Sequence, residues 1–193
     1  MLTNAPQRAA LGVESVPPAL RPWGQGDSIA ELTALLHAAY ASLAAQGWNF
    51  TAVDQSEAVT RERLAGAQAF VAVAPSGRLV GTVAVSGPKS PESAYLADPA
   101  PPLYCQPDTA VLSQLAVHPD WRGQGLAERL MDAAEAWARS QGYAQAALDT
   151  AAPATELRQR YARRGYAECG RVQWQGKTYE SVLMRKPLKE ASA

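Results

Sequence analysis

The sequence is poor in cysteine and histidine, balanced in charge, and free of long hydrophobic runs. Its two cysteines, Cys105 and Cys169, lie far apart, and no cysteine or histidine spacing suits a metal ion. This pattern predicts free thiols in a reducing compartment and no metal site. No apolar stretch approaches the roughly 20 residues of a membrane-spanning helix, so no membrane span is expected.

An excess of charge of one sign is also missing, because 18 Lys and Arg residues are matched by 18 Asp and Glu residues. Without a net field the chain has no general attraction for nucleic acid or for an anionic membrane, and neither is predicted as a partner. Residues 1–22 lack the basic start and continuous apolar stretch of a signal peptide. These absences predict a cytoplasmic protein that acts on a small, soluble partner.

The chain has enough apolar sequence for one substantial core, with 47% hydrophobic residues in a length of 193. We expect a flexible N-terminal tail over residues 1–14 and a single domain over residues 15–190. Hydrophobic periodicity predicts the mixed helices and strands of an α/β (α+β) protein. The predicted helices cover residues 29–46, 56–66, 125–141 and 153–164. The predicted strands are a short edge strand within 16–22, a hairpin over 69–85, strands at 109–117 and 144–150, and a pair joined at Gln175 and Gly176.

The middle of the chain combines a long loop with an apolar strand. Residues 86–108 contain six prolines and no periodic pattern, which makes them a candidate substrate lid. The strand at 109–117 is apolar on both faces apart from Ser113 and Gln114, which predicts a central place in the sheet.

Two glycines lie at the start of a predicted helix in HPDWRGQGLAERL, residues 118–130. Gly123 and Gly125 follow a strand, where free backbone N–H groups and the positive end of a helix dipole favour an anion. One alternative is that these glycines only permit a tight turn. Another is a dinucleotide site with Asp149 at the end of the next strand, but Glu128 replaces the third glycine of that fingerprint.

The longer stretch LAVHPDWRGQGLAERLMDAAEAWARSQGY resembles the signature of the GNAT superfamily of N-acyltransferases. That family binds the pyrophosphate of acetyl-CoA with Arg/Gln-x-x-Gly-x-Gly/Ala, which Arg122, Gly125 and Ala127 match. A second family pattern, Tyr-x-x-x-Gly-Phe/Tyr, matches residues 161–166. The resemblance covers residues 109–186 and implies a mixed, mainly antiparallel central sheet, flanked by helices and splayed at the cofactor site.

The resemblance also implies roles for individual residues, with acetyl-CoA as cosubstrate. The implied cofactor-binding residues are Leu115, Ala116, Val117, Arg122, Gly123, Gln124, Gly125, Leu126 and Ala127. Arg122 either adds charge or caps the loop. Tyr161 is the implied general acid, because a phenol stays protonated well above neutral pH. Its alternative role is core packing, since Leu157 and Tyr161 share one helix face, and Tyr166 is interpreted as core.

The general base is not identified by sequence. Many family members carry a glutamate where this chain has Val111, and the polar residues that follow Val111 are not competent bases alone. Asp149 either relays a proton through water or only closes its strand. His118 precedes a proline and His37 lies within a helix, so both are interpreted as structural.

Two further groups of residues are candidates for the site. The last helix carries a basic run that is typical of a solvated face, although one member could reach the 3′-phosphate of the cofactor. This run consists of Arg158, Arg160, Arg163 and Arg164. The aromatic residues that could line an acceptor pocket are Tyr40, Trp48, Phe50, Tyr95 and Tyr104.

The sequence therefore predicts an N-acetyltransferase that moves an acetyl group from acetyl-CoA directly to an amine of a small molecule. No cysteine or serine has a recognisable nucleophile setting, so no acyl-enzyme is expected. The alternatives are an acyl-CoA-binding sensor or interaction module without turnover, and a protein or peptide N-acetyltransferase. The oligomeric state stays open, with a homodimer as one option.

Overall fold

The computed structural model describes residues 16–90, 94–95 and 98–188. The predicted tail over residues 1–14 and both ends of the predicted domain, 15–190, lie outside this part of the chain. Its α-helices are α1 (Ile29–Ala44), α2 (Glu57–Leu64), α3 (Leu126–Ser140) and α4 (Thr155–Arg163). Its strands are β1 (Ala19–Pro22), β2 (Ala67–Val73), β3 (Leu79–Ser86), β4 (Ala94–Tyr95), β5 (Asp98–Pro99), β6 (Thr109–Val117), β7 (Gln145–Ala151), β8 (Ala167–Val172) and β9 (Ser181–Pro187).

Seven strands form one sheet in the order β1-β2-β3-β6-β7-β9-β8. Neighbouring strands are antiparallel except β6 and β7, which run parallel. The short strands β4 and β5 form a separate pair. The fold is therefore a mixed, mainly antiparallel sheet flanked by helices, which confirms the predicted class, with β1 at the edge and β6 in the centre.

The two faces of the sheet bury separate cores. Neighbouring residues of β2 point to opposite faces, and they enter different clusters. Val71 packs in a cluster with Leu32 and Leu36 of α1, whereas Ala72 packs in the larger cluster with Leu130 of α3. The helices α1 and α3 therefore cover opposite faces of the sheet.

Local sequence signals account for several of the element boundaries. Ser28 begins α1 as its N-cap, since its Oγ accepts a hydrogen bond from the Glu31 N–H at 3.2 Å. The predicted hairpin is confirmed, because β2 and β3 are joined by a turn in which the Gly77 N–H donates to the Ala74 carbonyl at 2.8 Å.

The proline-rich segment contains more structure than its sequence predicts. After β3 ends at Ser86, the described residues include the β4–β5 pair and a short 3₁₀-helix, Pro102–Cys105. Tyr104 in that helix is 0% exposed and packs in one cluster with Val111 of β6 and Trp174. The segment therefore contributes to the core instead of only crossing the surface.

A buried carboxylate ties three elements together. Glu135 of α3 is 2% exposed. Its Oε1 accepts hydrogen bonds from Arg164 Nη2 at 3.0 Å and from the Tyr166 hydroxyl at 3.2 Å, and its Oε2 accepts one from Lys186 Nζ at 2.6 Å. These contacts link α3 to the end of α4 and to β9. Tyr166 is 2% exposed, so its interpretation as a core residue is confirmed.

We expect Glu135→Ala to lower the free energy of unfolding by about 3–5 kcal/mol, because it leaves Arg164 and Lys186 without their buried partner. Asp132→Ala is the matched control, since Asp132 pairs with the same Arg164 at 2.7 Å but its side chain is 69% exposed. The control should cost about 1 kcal/mol or less. Urea unfolding measures the free energy of unfolding of both variants. Equal losses in the two variants would contradict the claim that the buried position of Glu135 makes its ion pairs more stabilising.

Candidate active site

The parallel strands β6 and β7 separate partway along their length. Their register runs only from Thr109, opposite Gln145, to Val111, opposite Ala147. Beyond Val111, β6 continues beside β3 and β7 continues beside β9, so one backbone edge of each strand faces a gap. A cavity of about 670 Å³ opens there, which is within the usual size range of small-molecule sites.

A bulge in β6 shapes the wall of this cavity. The register of β6 with β3 shifts between Ser113 and Ala116. Gln114 lies in the bulge with a φ of 53°, a left-handed conformation that costs a residue with a Cβ about 1–3 kcal/mol. Its side chain is buried, and its Oε1 accepts a hydrogen bond from Gln55 Nε2 at 3.2 Å. This contact helps to hold the strained conformation in place.

The turn after β6 places backbone N–H groups at the cavity wall. A short 3₁₀-helix, Pro119–Trp121, leads into the turn, and Gly123 and Gly125 have φ values of 77° and 73°. A Cβ built at either glycine meets no atom within 4 Å, so the space beside the backbone is open. Because α3 begins directly after Gly125, its free N–H groups and the positive end of its dipole lie at this wall.

Arg122 anchors the glycine turn to α1. Its Nη2 donates a hydrogen bond to the Ala39 carbonyl at 2.6 Å, which supports the predicted role in holding the loop. The implied cofactor-binding residues other than Gln124 line the cavity, and they are Leu115, Ala116, Val117, Arg122, Gly123, Gly125, Leu126 and Ala127.

Tyr161 of α4 lines the same cavity and is 8% exposed. Its ring centroid lies 6.1 Å from that of Tyr166, so the side chain also belongs to the core. Burial raises the pKa of Tyr161 and Tyr40 raises it further, whereas Arg160 lowers it and Asp149 and Glu128 add smaller increases. The phenol therefore stays protonated across the neutral range, and the same raised pKa makes it a weaker acid than a free phenol.

Asp149 lies where β7 borders the gap, and two neutral donors orient its carboxylate. Its Oδ1 accepts a hydrogen bond from the Tyr104 hydroxyl at 2.9 Å, and its Oδ2 accepts one from Trp174 Nε1 at 3.0 Å. Asp149 lines the cavity, whereas Val111 is 1% exposed in the core and does not. Asp149 is therefore both a structural residue of the strand and a carboxylate of the cavity wall.

The two histidines have structural contacts. The His118 Nδ1 accepts a hydrogen bond from the Asp120 N–H at 3.3 Å, and the His37 Nε2 lies 2.8 Å from the Gln55 carbonyl. Neither ring lines the cavity. Their interpretation as structural residues agrees with these contacts.

The basic run on α4 divides into separate environments. Arg158 Nε donates to Glu168 Oε1 at 2.7 Å, and Arg164 pairs with Glu135. The basic run predicts a solvated face, but the side chain of Arg164 is only 12% exposed. The prediction is therefore wrong for this residue. Arg160 is the member of the run that lines the cavity.

Aromatic side chains form another part of the cavity wall. Tyr40, Trp48 and Phe50, which the sequence indicates as candidates for a pocket wall, line this cavity. The Phe50 ring centroid lies 5.5 Å from that of Tyr40 and 4.8 Å from that of Tyr179. The predicted Tyr104 is instead buried behind Asp149, and the side chain of Tyr95 lies outside the described residues.

Several cavity residues have no sequence signal that identifies them. Arg63 comes from the last turn of α2, and Trp174, Lys177 and Tyr179 come from the connection between β8 and β9. None belongs to a motif. Only their common position in the fold, facing the gap beside β7, brings them together.

The proposed substrate lid does not form part of this cavity in the described structure. None of the described residues within 86–108 lines it. Their main contribution is Tyr104, which packs in the core and binds Asp149 from behind the wall.

Neither a membrane span nor a metal cluster is found in the described part of the chain. No helix there is both long and apolar enough to cross a bilayer. Among the same residues, no group of three or more His, Cys, Asp and Glu side chains could hold a metal ion.

Comparison with solved structures identifies proteins of the same fold. A GCN5-related N-acetyltransferase from Rhodopseudomonas palustris is 27% identical, with a TM-score of 0.63 over 89% of this chain and 96% of that chain. The ribosomal-protein-S18-alanine N-acetyltransferase of Escherichia coli is 16% identical, with a TM-score of 0.66 over 90% and 96%. A GNAT family acetyltransferase from Elizabethkingia anophelis, solved with acetyl-CoA bound, is 15% identical, with a TM-score of 0.59 over 88% and 97%.

Sequence comparison gives the family directly. A comparison with curated proteins found no match. Residues 32–166, which are more than half of the chain, match the acetyltransferase (GNAT) family, whose members use acetyl-CoA. The splayed strands and the glycine turn at the start of α3 lie within the matched residues. The protein therefore belongs to the acetyltransferase (GNAT) family, and this membership implies acyltransferase activity.

Proposed function

We propose that this protein is an N-acetyltransferase that transfers the acetyl group of acetyl-CoA directly to an amine of a small molecule. The observation that carries the proposal is the cavity between β6 and β7. It combines a glycine turn at a helix N-terminus, a free strand edge and the phenol of Tyr161. The free thiols of Cys105 and Cys169 support the accompanying proposal of a reducing, cytoplasmic location.

The proposed cofactor site fits a long molecule that carries a diphosphate and amide groups. The open space beside Gly123 and Gly125 allows a diphosphate to approach backbone N–H groups. The edge of β6 over residues 115–117 has no β7 partner and is available to an amide-bearing arm. The Leu115 carbonyl already accepts a hydrogen bond from the Tyr40 hydroxyl at 3.1 Å, so the proposal relies on the other backbone groups of this edge. Gln124 lies between the two glycines, and its backbone N–H remains part of the proposed cofactor-binding turn although the residue does not line the cavity.

Acetyl-CoA supplies the acetyl group as a thioester. The amine nitrogen forms the new bond to the carbonyl carbon, and the carbon–sulfur bond breaks. We assign stabilisation of the negative charge on the carbonyl oxygen to backbone N–H groups of β6. Tyr161 donates a proton to the departing sulfur, and a water bound to Asp149 is the proposed route for the proton that the amine loses.

Direct transfer is supported by the positions of the thiols. Cys105 packs with its Sγ 3.9 Å from the Ala100 carbonyl, and Cys169 lies on β8. Neither cysteine lines the cavity, so neither is positioned to carry the acetyl group.

A small acceptor is favoured by the aromatic part of the cavity. Tyr40, Trp48, Phe50 and Tyr179 give the site an apolar wall that suits a compact molecule. The Escherichia coli relative acts on a ribosomal protein, so a protein acceptor is the second candidate. An acetylation assay with a panel of small amines and peptides separates the two.

We predict that Gly125→Asp weakens acetyl-CoA binding by about 100-fold or more while the protein stays folded. A carboxylate beside the backbone N–H groups would repel the diphosphate, at a cost of several kcal/mol for like charges about 4 Å apart. Gly125→Asn is the matched control, because it has a similar shape, tolerates positive φ and carries no charge. Calorimetric titration with acetyl-CoA measures both, and equal affinities of the two variants would contradict the anion site.

We predict that Tyr161→Phe lowers kcat by about 10²- to 10⁴-fold with little change in KM for acetyl-CoA, because it removes a proton donor and keeps the ring. Tyr166→Phe is the matched control, since its hydroxyl binds Glu135 in the core. The control should lose about 1 kcal/mol of stability and keep its kcat.

An acyl donor with a low-pKa leaving thiol supplies a second check on Tyr161. Such a thiol leaves without protonation, so it should recover much of the rate lost in Tyr161→Phe. A folded Tyr161→Phe variant with the wild-type kcat would remove the general-acid assignment.

A further inference from the structure

We propose that the acceptor is an α-amino acid with an apolar side chain, and that Arg63 and Lys177 bind its carboxylate. The inference rests on the proposed acetyl transfer to a small amine and names the class of that amine. It is carried by three charged residues that line the same cavity as an aromatic wall, namely the cations Arg63 and Lys177 and the carboxylate Asp149.

Arg63 is held in place by a buried polar network and retains free donors. Its Nη1 donates to Gln55 Oε1 at 2.8 Å, and the Gln55 amide in turn donates to Thr60 Oγ1 at 2.7 Å and to Gln114 Oε1 at 3.2 Å. Within the described part of the chain, no Asp or Glu oxygen lies within 4 Å of the guanidinium. Because a guanidinium has five N–H donors in a rigid fork, the remaining donors suit a carboxylate.

Lys177 places a second cation on the wall of the same cavity. Its Nζ donates to the Asn49 carbonyl at 2.8 Å. Burial lowers the pKa of Lys177, Arg63 lowers it further, and Asp54 and Asp149 oppose the change. The charges of Arg63 and Lys177 therefore act on each other, and an anion between them would relieve the repulsion.

Asp149 supplies the opposite charge that an ammonium group requires. Both of its oxygens accept hydrogen bonds from uncharged donors, so its negative charge is not neutralised by a salt bridge among the described residues. The other carboxylates of the cavity wall are Glu128, which pairs with Arg164 at 2.7 Å, and Glu156 in the first turn of α4. Asp149 is the carboxylate that raises the pKa of both Lys177 and Tyr179, and Arg63 lowers the pKa of both.

The two signs of charge match a molecule that carries both an ammonium and a carboxylate. Electrostatic complementarity would orient such a molecule with its nitrogen at Asp149, beside the gap where β6 offers its backbone, and its carboxylate at Arg63. The row formed by Tyr40, Phe50 and Tyr179 then faces the third substituent. Aromatic rings favour an apolar side chain there.

Binding to the full-length protein in the presence of coenzyme A tests the inference without turnover. Four amino acids, phenylalanine, tyrosine, leucine and methionine, are each compared with the amine that lacks only the carboxylate. Calorimetry should show at least one amino acid binding about tenfold or more tightly than its paired amine. The absence of a carboxylate preference in all four pairs would overturn the inference.

Variants of α2 assign the preference to Arg63. Arg63→Gln should reduce the ratio of amino-acid to amine affinity to near one, and Arg63→Lys should restore part of it. Arg61→Gln, on an exposed position of the same helix outside the cavity, should keep the wild-type ratio. A carboxylate preference that survives in a folded Arg63→Gln variant would contradict the assignment.

Turnover with the same four pairs separates this inference from the proposed function. Acetylation of the paired amines as efficiently as of the amino acids would keep the proposed function and overturn the inference. Tight, carboxylate-dependent binding with no acetylation of any member would keep Arg63 and Lys177 as a carboxylate-binding subsite and overturn the proposed function.

Discussion

The separation of β6 from β7 is the constraint on which the rest of the site depends. These parallel strands are joined only between Thr109 and Val111, at the end of the sheet nearest the proline-rich segment. A fully paired β6 would use both of its backbone edges for the sheet and would leave no gap. Because the pairing stops, the cavity, the free edge of residues 115–117 and the glycine turn all open to the same space.

The two sides of this space are built by different means. On the side of β6 and α3, the proposed contacts come from backbone groups, so the chemistry depends on φ values at Gly123 and Gly125 and on the bulge at Gln114. On the side of α2 and the β8–β9 connection, they come from side chains such as Arg63 and Lys177. A backbone site tolerates little change in geometry, whereas a side-chain site can change its ligand through single substitutions.

This division explains what the sequence could and could not predict. The order of elements, the central strand and the glycine turn follow from short patterns, because neighbouring residues determine them. The proposed acceptor wall includes Arg63 and Tyr179, which lie more than a hundred positions apart, and no local pattern records that both line the cavity. Arg164 shows the same limit, since its burial depends on Glu135, 29 residues earlier. The proline-rich segment has no periodicity, yet Tyr104 makes it part of the core.

The position of β9 determines when the sheet can be completed during synthesis of the chain. This strand lies between β7 and β8, although it follows both in the chain. β8 has no other neighbour in the sheet, so neither β8 nor the connection that carries Lys177 and Tyr179 can take its place before Pro187 has left the ribosome. A nascent chain that stops earlier would contain the whole glycine motif and Tyr161 but an incomplete sheet. The fold therefore makes assembly of the cavity depend on β9, and chains that lack this strand would leave β7 without its β9 partner and open to aggregation.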